Sequence, residues 1–262
     1  MGRHSERRPL LRLPSRGRRA TPDLAPDAPA GRVREPAAPE GTPVSAAAPA
    51  DGAVVDVRGV GVTYGDVTAL RGVSLSARPG QFVAVTGHSG AGKTTLINAI
   101  AGIVPLAAGE VDLGEGASAK RDPRAVAIIP QGNGLASVLT AYENVLAPLR
   151  ARGHAPEDAA ERATAALAAV GLGESGTHLI EELSGGQQQR AAVARGLAIG
   201  ATVLLADEPT SELDHDNRER VLDLMRAQAD AGAIVIMATH DPEAAARADS
   251  VIELNDGEVV GA

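Results

Sequence analysis

Residues 87–94 read GHSGAGKT, the most informative stretch of the chain. It fits a phosphate-binding pattern of Gly, any four residues, Gly, Lys and then Ser or Thr. The run FVAV at 82–85 predicts a buried strand before it, and the run TLINAIA at 95–101 predicts a helix after it. Strand, glycine-rich loop and helix form the context in which this pattern binds phosphate. We therefore interpret the stretch as a phosphate loop rather than a glycine turn with a chance lysine.

The chemistry of the loop follows from its residue types. Glycines let the backbone turn tightly, so N–H groups point inward at an anion. The start of the following helix adds unpaired N–H donors and the positive end of the helix dipole. Lys93 supplies a positive charge for the outer phosphates, and Thr94 supplies a hydroxyl for Mg²⁺.

Composition excludes several other kinds of protein. The chain has 262 residues, is 44% apolar and only 1% aromatic, so its core must be built from Ala, Val, Leu and Ile. It has no cysteine, which excludes disulfides, thiolate metal sites and a cysteine nucleophile. No apolar run approaches the eighteen residues of a membrane span, and no signal-peptide core is present, so we expect a chain that is soluble by itself.

Charge is spread unevenly along the chain. Residues 1–51 carry nine basic and six acidic residues, whereas the remainder carries sixteen basic and twenty-seven acidic residues. The acidic body argues against non-specific nucleic-acid binding. We predict that residues 1–51 form a disordered tail rich in Arg, Pro and Ala, and that 52–262 form the folded domain. The tail is either a solvated segment or an electrostatic tether to anionic lipid, and its lack of apolar anchors favours the former.

Two kinds of strand pattern occur in the folded part. The runs VVDV at 54–57 and GVTY at 61–64 predict a strand pair, and VSLSA at 73–77 alternates as a half-buried strand does. A further short strand is predicted at 109–113, followed by a polar loop over 114–124.

Continuous apolar runs predict a second sheet. They lie at 125–129, 202–206, 233–238 and 250–254 and alternate with helical stretches, including one at about 216–230. This alternation predicts a mostly parallel sheet covered on both faces. Residues 132–200 have a helical pattern rich in Ala and Leu, with breaks predicted at Pro148, 153–156 and 171–173.

Two acids end one of the apolar runs, in the sequence VLLADEPTSELD at 203–214. In phosphoryl-transfer sites an acid at the end of such a strand holds the Mg²⁺ shell, and a second acid can orient or deprotonate the attacking water. The alternative is a pair of solvated acids, which the ordered PTSELD run disfavours.

A second anion-binding helix start is predicted at 183–190, LSGGQQQR. Ser184 is a favourable N-cap, and the two following glycines leave backbone N–H groups open. We predict a helix from about Gln187 to Ala198. Two phosphate-binding ends in one chain suggest two different nucleotides or a site shared across a dimer.

These stretches together with Thr239-His240-Asp241 resemble the ATP-binding cassette ATPases, in the family's order and spacing, from Val54 to about Gly261. Within the family the chain is most similar to the subgroup of lipoprotein release, macrolide export and cell division. The resemblance implies an α/β fold: a P-loop NTPase (RecA-like) core, an antiparallel β-subdomain and an inserted α-helical subdomain (about 132–200) that carries the signature.

The resemblance also assigns site residues. It implies that Glu208 is the catalytic base, with His240 and Gln131 acting beside it, and that Thr94, Gln131 and Asp207 hold Mg²⁺. Tyr64 matches the ring that stacks on adenine, although an ordinary strand tyrosine is the alternative. The remaining residues that would contact ATP are Gly87, His88, Ser89, Gly90, Ala91, Gly92, Lys93, Thr94 and Thr95, and, on the facing subunit, Ser184, Gly185, Gly186, Gln187 and Asp214.

The implied function is ATP hydrolysis that powers transport through a separate transmembrane permease. The resemblance implies a homodimer or heterodimer of cassettes with two ATP–Mg²⁺ between them, on the cytoplasmic face of the membrane, with no nucleic-acid partner. One alternative is a cassette that drives a non-transport membrane complex in cell division or cell-wall remodelling. A soluble cassette is a weaker alternative, because the chain has no heptad stretch and no cysteine.

Overall fold

A computed structural model describes residues 55–114 and 125–260 of the chain. The predicted tail and nearly all of the predicted 114–124 loop lie outside the described residues. The strands are β1 (Val55–Tyr64), β2 (Val67–Ala77), β3 (Phe82–Thr86), β4 (Ala108–Asp112), β5 (Val126–Ile129), β6 (Val203–Asp207), β7 (Ile234–Ala238), β8 (Ser250–Asn255) and β9 (Glu258–Val260). The helices are α1 (Lys93–Ile100), α2 (Ala141–Ala151), α3 (Pro156–Ala169), α4 (Gly185–Ala198), α5 (His215–Asp230) and α6 (Pro242–Ala245), with a 3₁₀ turn at Ile180–Glu182.

Strands β1, β2 and β4 form a three-stranded antiparallel sheet in the order β2-β1-β4. The prediction of a strand pair at 54–57 and 61–64 is wrong, because both runs belong to the single strand β1. Gly59 adopts a φ of 57° between them, and the register with β2 shifts between Val57 and Val60. This irregularity bends the strand without ending it. The strands that pair with β1 are β2, which is longer than predicted, and β4.

The mostly parallel sheet predicted from the apolar runs is confirmed. Its order is β5-β6-β7-β3-β8-β9, with every pair parallel except β8 and β9. All five residues of β6 and of β7 are buried, as expected for strands covered on both faces. This arrangement brings the carboxyl ends of β3, β5, β6 and β7 to one edge of the sheet.

Alternate residues of the central strands enter two separate cores. Leu204 and Met237 pack with apolar side chains of α4 and α5, whereas Leu205 and Ile236 pack with those of α1, β1 and β2. The period of two in a strand explains this division. One face of the parallel sheet is therefore covered by helices, and the other by a helix together with the antiparallel sheet.

Helices α2, α3 and α4 occupy most of the stretch that the sequence marks as helical. They pack through buried residues that are mainly small, among them Ala141, Val145, Ala163 and Ala194. The predicted break at Pro148 is wrong, since this residue lies inside α2. Proline removes one helix hydrogen bond, but Val145 and Leu149 on either side of it are fully buried. In the described part of the chain, no helix is both long and apolar enough to cross a membrane.

Candidate functional site

The phosphate loop connects β3 to α1, as its flanking sequences predict. Gly87 lies against the neighbouring strand with a φ of 142°, and a Cβ atom there would lie 2.2 Å from the carbonyl oxygen of Leu254. Gly92 has a φ of 103°, and its Cβ would lie 2.8 Å from the carbonyl oxygen of Ala69. Glycine is required at both positions because only a residue without Cβ permits this approach.

The turn between β8 and β9 supports the loop from behind. The N–H of Gly257 donates to the carbonyl oxygen of Ala91 at 3.1 Å, and its own carbonyl oxygen accepts from the N–H of Arg71 at 2.8 Å. The His88 ring lies beside the same turn, with Nε2 3.1 Å from Asn255 Oδ1. The loop is therefore held by chain segments far from it in the sequence.

Lys93 is almost buried at the start of α1, with only 8% of its surface exposed. Its ammonium donates to the carbonyl oxygens of Gly87 at 2.7 Å and His88 at 3.1 Å. It also lies 3.9 Å from Glu208 Oε1. The lysine is thus placed between the loop backbone and the second of the paired acids.

The paired acids lie at the end of β6. Asp207 is 2% exposed, and its Oδ1 has no hydrogen-bond partner among the described residues. Burial raises the pKa of Asp207 above its usual range, and the charge of Glu208 raises the pKa further. A buried carboxylate oxygen without a partner is costly, so a cation at this position would relieve the cost.

Glu208 and His240 are in direct contact. His240 Nδ1 lies 2.8 Å from Glu208 Oε1, at the ends of the neighbouring strands β6 and β7. The carboxylate of Glu208 is largely buried, whereas the His240 side chain is 65% exposed. When the Glu208 carboxylate is ionised it only accepts hydrogen bonds, so Nδ1 would then donate in this contact and Nε2 would remain available to a ligand.

These groups line one cavity of about 570 Å³. Eleven of the residues predicted to act at the site contribute to it, and they come from the loop, from the β5 end and from the ends of β6 and β7. They are His88, Ser89, Gly90, Gly92, Lys93, Thr94, Thr95, Gln131, Asp207, Glu208 and His240.

The residues predicted to hold Mg²⁺ fit such an ion. Thr94 Oγ1 lies 3.4 Å from Gln131 Oε1, and both residues line the cavity with Asp207. Hydroxyl, amide and carboxylate oxygens suit Mg²⁺, which uses one or two carboxylates and completes its shell with water and substrate phosphate. A metal site built only from His, Cys, Asp or Glu side chains is a different case: within residues 55–114 and 125–260, no cluster of three or more of them could hold a metal.

The predicted signature residues lie outside the cavity lining. Helix α4 begins at Gly185, two residues earlier than predicted, because Ser184 caps it. The Ser184 hydroxyl accepts from the N–H of Gln187, and the Gln187 side chain accepts from the N–H of Ser184 at 2.9 Å. This reciprocal pair fixes the helix start. The carboxylate of Glu212 lies close to Gly185, since a Cβ atom there would be 2.6 Å from Glu212 Oε2.

Four further predicted residues also lie outside the lining, namely Gly87, Ala91, Tyr64 and Asp214. Tyr64 ends β1 and is 49% exposed, so its ring is accessible to a ligand. Asp214 is the N-cap of α5 and accepts from the N–H of Asn217 at 2.9 Å. Its hydrogen bonds give Asp214 a structural task that does not depend on a nucleotide.

Sequence reasoning missed three residues that line the cavity or contact Glu208. Ala69 and Ser211 line the cavity, and Ser211 Oγ donates to the carbonyl oxygen of Glu208 at 3.2 Å. Gln189 on α4 is 5% exposed and also donates to that carbonyl oxygen, at 2.7 Å. The only local signal for Gln189 is its place in the LSGGQQQR run.

Comparison with protein families gives a single family description. A family model described as ABC transporter matches residues 70–211. An uncharacterized ABC transporter ATP-binding protein of Mycobacterium tuberculosis H37Rv is 43% identical over 201 residues, which cover 74% of this chain and 61% of that protein. The chain thus spans less than two thirds of this relative's length.

A second relative and a solved structure have more similar lengths. The lipoprotein-releasing system ATP-binding protein LolD of Chromohalobacter salexigens is 40% identical over 73% of this chain and 85% of that protein. This relative belongs to lipoprotein release, one of the systems of the subgroup that the sequence resembles. The dimeric, post-hydrolysis structure of the ATP-binding cassette MJ0796 bound to ADP and Pi is 32% identical, with a TM-score of 0.72, over 79% of this chain and 97% of that one.

Proposed function

Because the chain belongs to the ABC transporter family, we propose that it binds and hydrolyses ATP to power transport through a separate permease. The convergence of Lys93, Glu208 and His240 supports this most strongly, since Nζ of the lysine and Nδ1 of the histidine both approach Glu208 Oε1, at 3.9 Å and 2.8 Å. A phosphate-binding cation, a carboxylate base and a second polar group meet where α1 begins and β6 and β7 end.

Each group then has a task in the reaction. The ammonium of Lys93 neutralises the outer phosphates, and the loop N–H groups orient them. Glu208 accepts the proton of the attacking water, and His240 orients Glu208 and contacts the terminal phosphate. Mg²⁺, held by Thr94, Gln131 and Asp207, supplies charge neutralisation when it is bound. Most of the rate gain comes from positioning and electrostatics, as in other phosphoryl transfers.

Two cassettes complete one site in this proposal. Ser184, Gly185, Gly186 and Gln187 of one subunit face the nucleotide bound to the other, together with Asp214, and Tyr64 stacks on the adenine. The start of α4 offers backbone N–H groups for a phosphate, yet its residues do not line the cavity of their own chain. The dimeric form of the MJ0796 cassette supports a shared site.

A groove between the parallel sheet and α2 is the proposed docking site of the permease. Its volume is about 400 Å³, and Ile128, Leu139 and Ala147 line it together with Arg195. Val138, which precedes the lining residue Leu139 in the sequence, is 82% exposed. A short permease segment with apolar residues and an acidic group fits this lining. Through this contact the subunit lies on the cytoplasmic face of the membrane.

Steady-state ATP hydrolysis tests the enzymatic part of the proposal. Glu208→Gln preserves shape and removes the base, so we expect kcat to fall by about 10²–10⁴-fold with ATP binding retained. Glu161→Gln, at an exposed position of α3, is the matched control and should behave as wild type. Hydrolysis by Glu208→Gln within threefold of wild type would refute the assignment of the base.

Purification of the chain from detergent-solubilised native membranes tests the transport part. Recovery of a multi-span protein in fixed ratio supports a permease complex, and Val138→Asp should abolish the recovery if the groove is the docking site. A partner with few spans and a large extracytoplasmic domain would instead favour the non-transport complex.

A further inference from the structure

The backbone of Glu208 is held in an unusual conformation. Its φ is 51°, in the left-handed region that residues with a side chain rarely adopt. On one side its N–H donates to the carbonyl oxygen of Ala238 at 2.9 Å. On the other side its carbonyl oxygen accepts from Gln189 and Ser211. A strained backbone persists only where its surroundings fix it, so these contacts determine where the carboxylate points.

Gln189 makes the most extensive of these contacts. Its Nε2 donates to the carbonyl oxygen of Glu208 at 2.7 Å and lies 3.3 Å from Ser211 Oγ. Its Oε1 accepts from the N–H of Glu212 at 2.7 Å. A single buried amide therefore holds both ends of the 208–212 segment, with its donor at one end and its acceptor at the other.

We infer that Gln189 is a positioning residue that couples the start of α4 to the carboxylate of Glu208. Ser184 caps α4, and Gln189 lies within its second turn, so both move with the same rigid helix. A displacement of α4 by a ligand at its start is transmitted through the Gln189 amide to the backbone of Glu208. The Glu208 carboxylate then has the orientation needed for catalysis only while α4 is in one position.

The chemistry of the contact makes glutamine difficult to replace. Glutamate has the same shape and can still accept from Glu212, but it cannot donate to the carbonyl oxygen of Glu208. Methionine fills a similar volume and makes neither bond. A misplacement of about 1 Å in a catalytic group can cost on the order of 10²-fold in rate. The contact is therefore expected to act on kcat rather than on nucleotide affinity.

The inference rests on the proposed ATPase function, and Gln189→Glu and Gln189→Met test it in the full chain. We expect kcat to fall by about 10–100-fold, with the Kd for a fluorescent ATP analogue within about twofold of wild type. Gln188→Met is the matched control on the same helix. Gln188 also donates to two carbonyl oxygens, but these belong to Ile180 and Leu183 rather than to the 208–212 segment.

A double variant separates positioning from general damage. If Gln189 acts through Glu208, Gln189→Met should lower the residual rate of a Glu208→Gln chain by less than about twofold, because the two changes are not additive. If Gln189→Met lowers the rate of the Glu208→Gln chain by the same factor as it lowers the wild-type rate, the inference is overturned. It is also overturned if the Gln189 single variants have the same kcat as Gln188→Met. If the wild-type chain hydrolyses no ATP, the proposed function fails and the inference fails with it. If the wild-type chain hydrolyses ATP but the Gln189 variants have the same kcat as Gln188→Met, the inference fails and the proposed function stands.

Discussion

Replacing Gly87 by alanine tests the close packing behind the phosphate loop, and Gly90→Ala is its control. Both glycines have positive φ, at 142° and 85°. A Cβ on Gly87 would lie 2.2 Å from the carbonyl oxygen of Leu254 and 3.0 Å from the Cβ of Ala91. A Cβ on Gly90 meets nothing within 4 Å. The two substitutions therefore share backbone strain, and only the first adds a clash.

Relieving the clash between the new Cβ atom and the carbonyl oxygen of Leu254 costs free energy of folding. Leu254 is fully buried in β8, and residues 83–86 of β3 pair in parallel with residues 250–253 of β8. A displacement of the carbonyl by about 1 Å would loosen that pairing, which corresponds to about 1–3 kcal/mol of overpacking. The unfavourable φ costs a further 1–3 kcal/mol or so. We expect Gly87→Ala to lower the free energy of unfolding by about 4 kcal/mol, and Gly90→Ala by about 1–2 kcal/mol.

Urea unfolding followed by circular dichroism measures both losses under the same conditions. The difference between the two variants, about 2–3 kcal/mol, isolates the steric contact from the backbone strain. Unfolding free energies that agree within about 1 kcal/mol would refute the reasoning, because they would show that β8 yields freely to the new methyl group.

Three other changes test separate contacts. The Phe82 N–H and then the Arg226 guanidinium lower the pKa of Asp249. Asp249→Asn should therefore cost about 1 kcal/mol at pH 7, discounted for exposure. In urea titrations the difference from wild type should shrink as pH falls below about 3.9, the pKa of the unfolded state, and vanish once pH has fallen through the lowered pKa of the folded state; a constant difference would contradict this. Ser184→Ala should lower the unfolding free energy by about 1 kcal/mol in the same assay, with Ser184→Asn near wild type. Lys93→Met should weaken ATP binding by at least tenfold in fluorescence titration without lowering the melting temperature, since buried charge is costly.

The sequence predicts what depends on local pattern. The phosphate loop, the acid pair and the cap at Ser184 are each specified within a few residues. The parallel sheet follows from the length and apolar character of its strands. Where a local rule conflicts with packing, packing decides, as at Pro148, where a helix continues through proline because its neighbours are buried. The predicted strand pair at 54–57 and 61–64 fails for a similar reason, since the irregularity at Gly59 is a bulge within one strand and not a turn between two.

The site is predicted less completely than the fold. The motifs predict Lys93, Glu208 and His240 as site residues, but the distances between them arise from strand order, which no single motif contains. The contact from Gln189 to Glu208 joins residues nineteen positions apart and has no periodic or compositional signal. The same holds for the support of the loop by Gly257. Such contacts are fixed by tertiary geometry, and a sequence read locally does not show them.

The support of the phosphate loop by the β8–β9 turn has a consequence for timing during synthesis. The GHSGAGKT stretch leaves the ribosome long before residues 254–257, which complete its backing through Leu254, Asn255 and Gly257. At 5–20 residues per second the interval is roughly ten to thirty seconds. During that interval the nascent chain carries the loop sequence without the neighbours that shape it. We expect nucleotide capture to begin only after the last strands of the sheet have emerged, so an incomplete chain cannot sequester ATP.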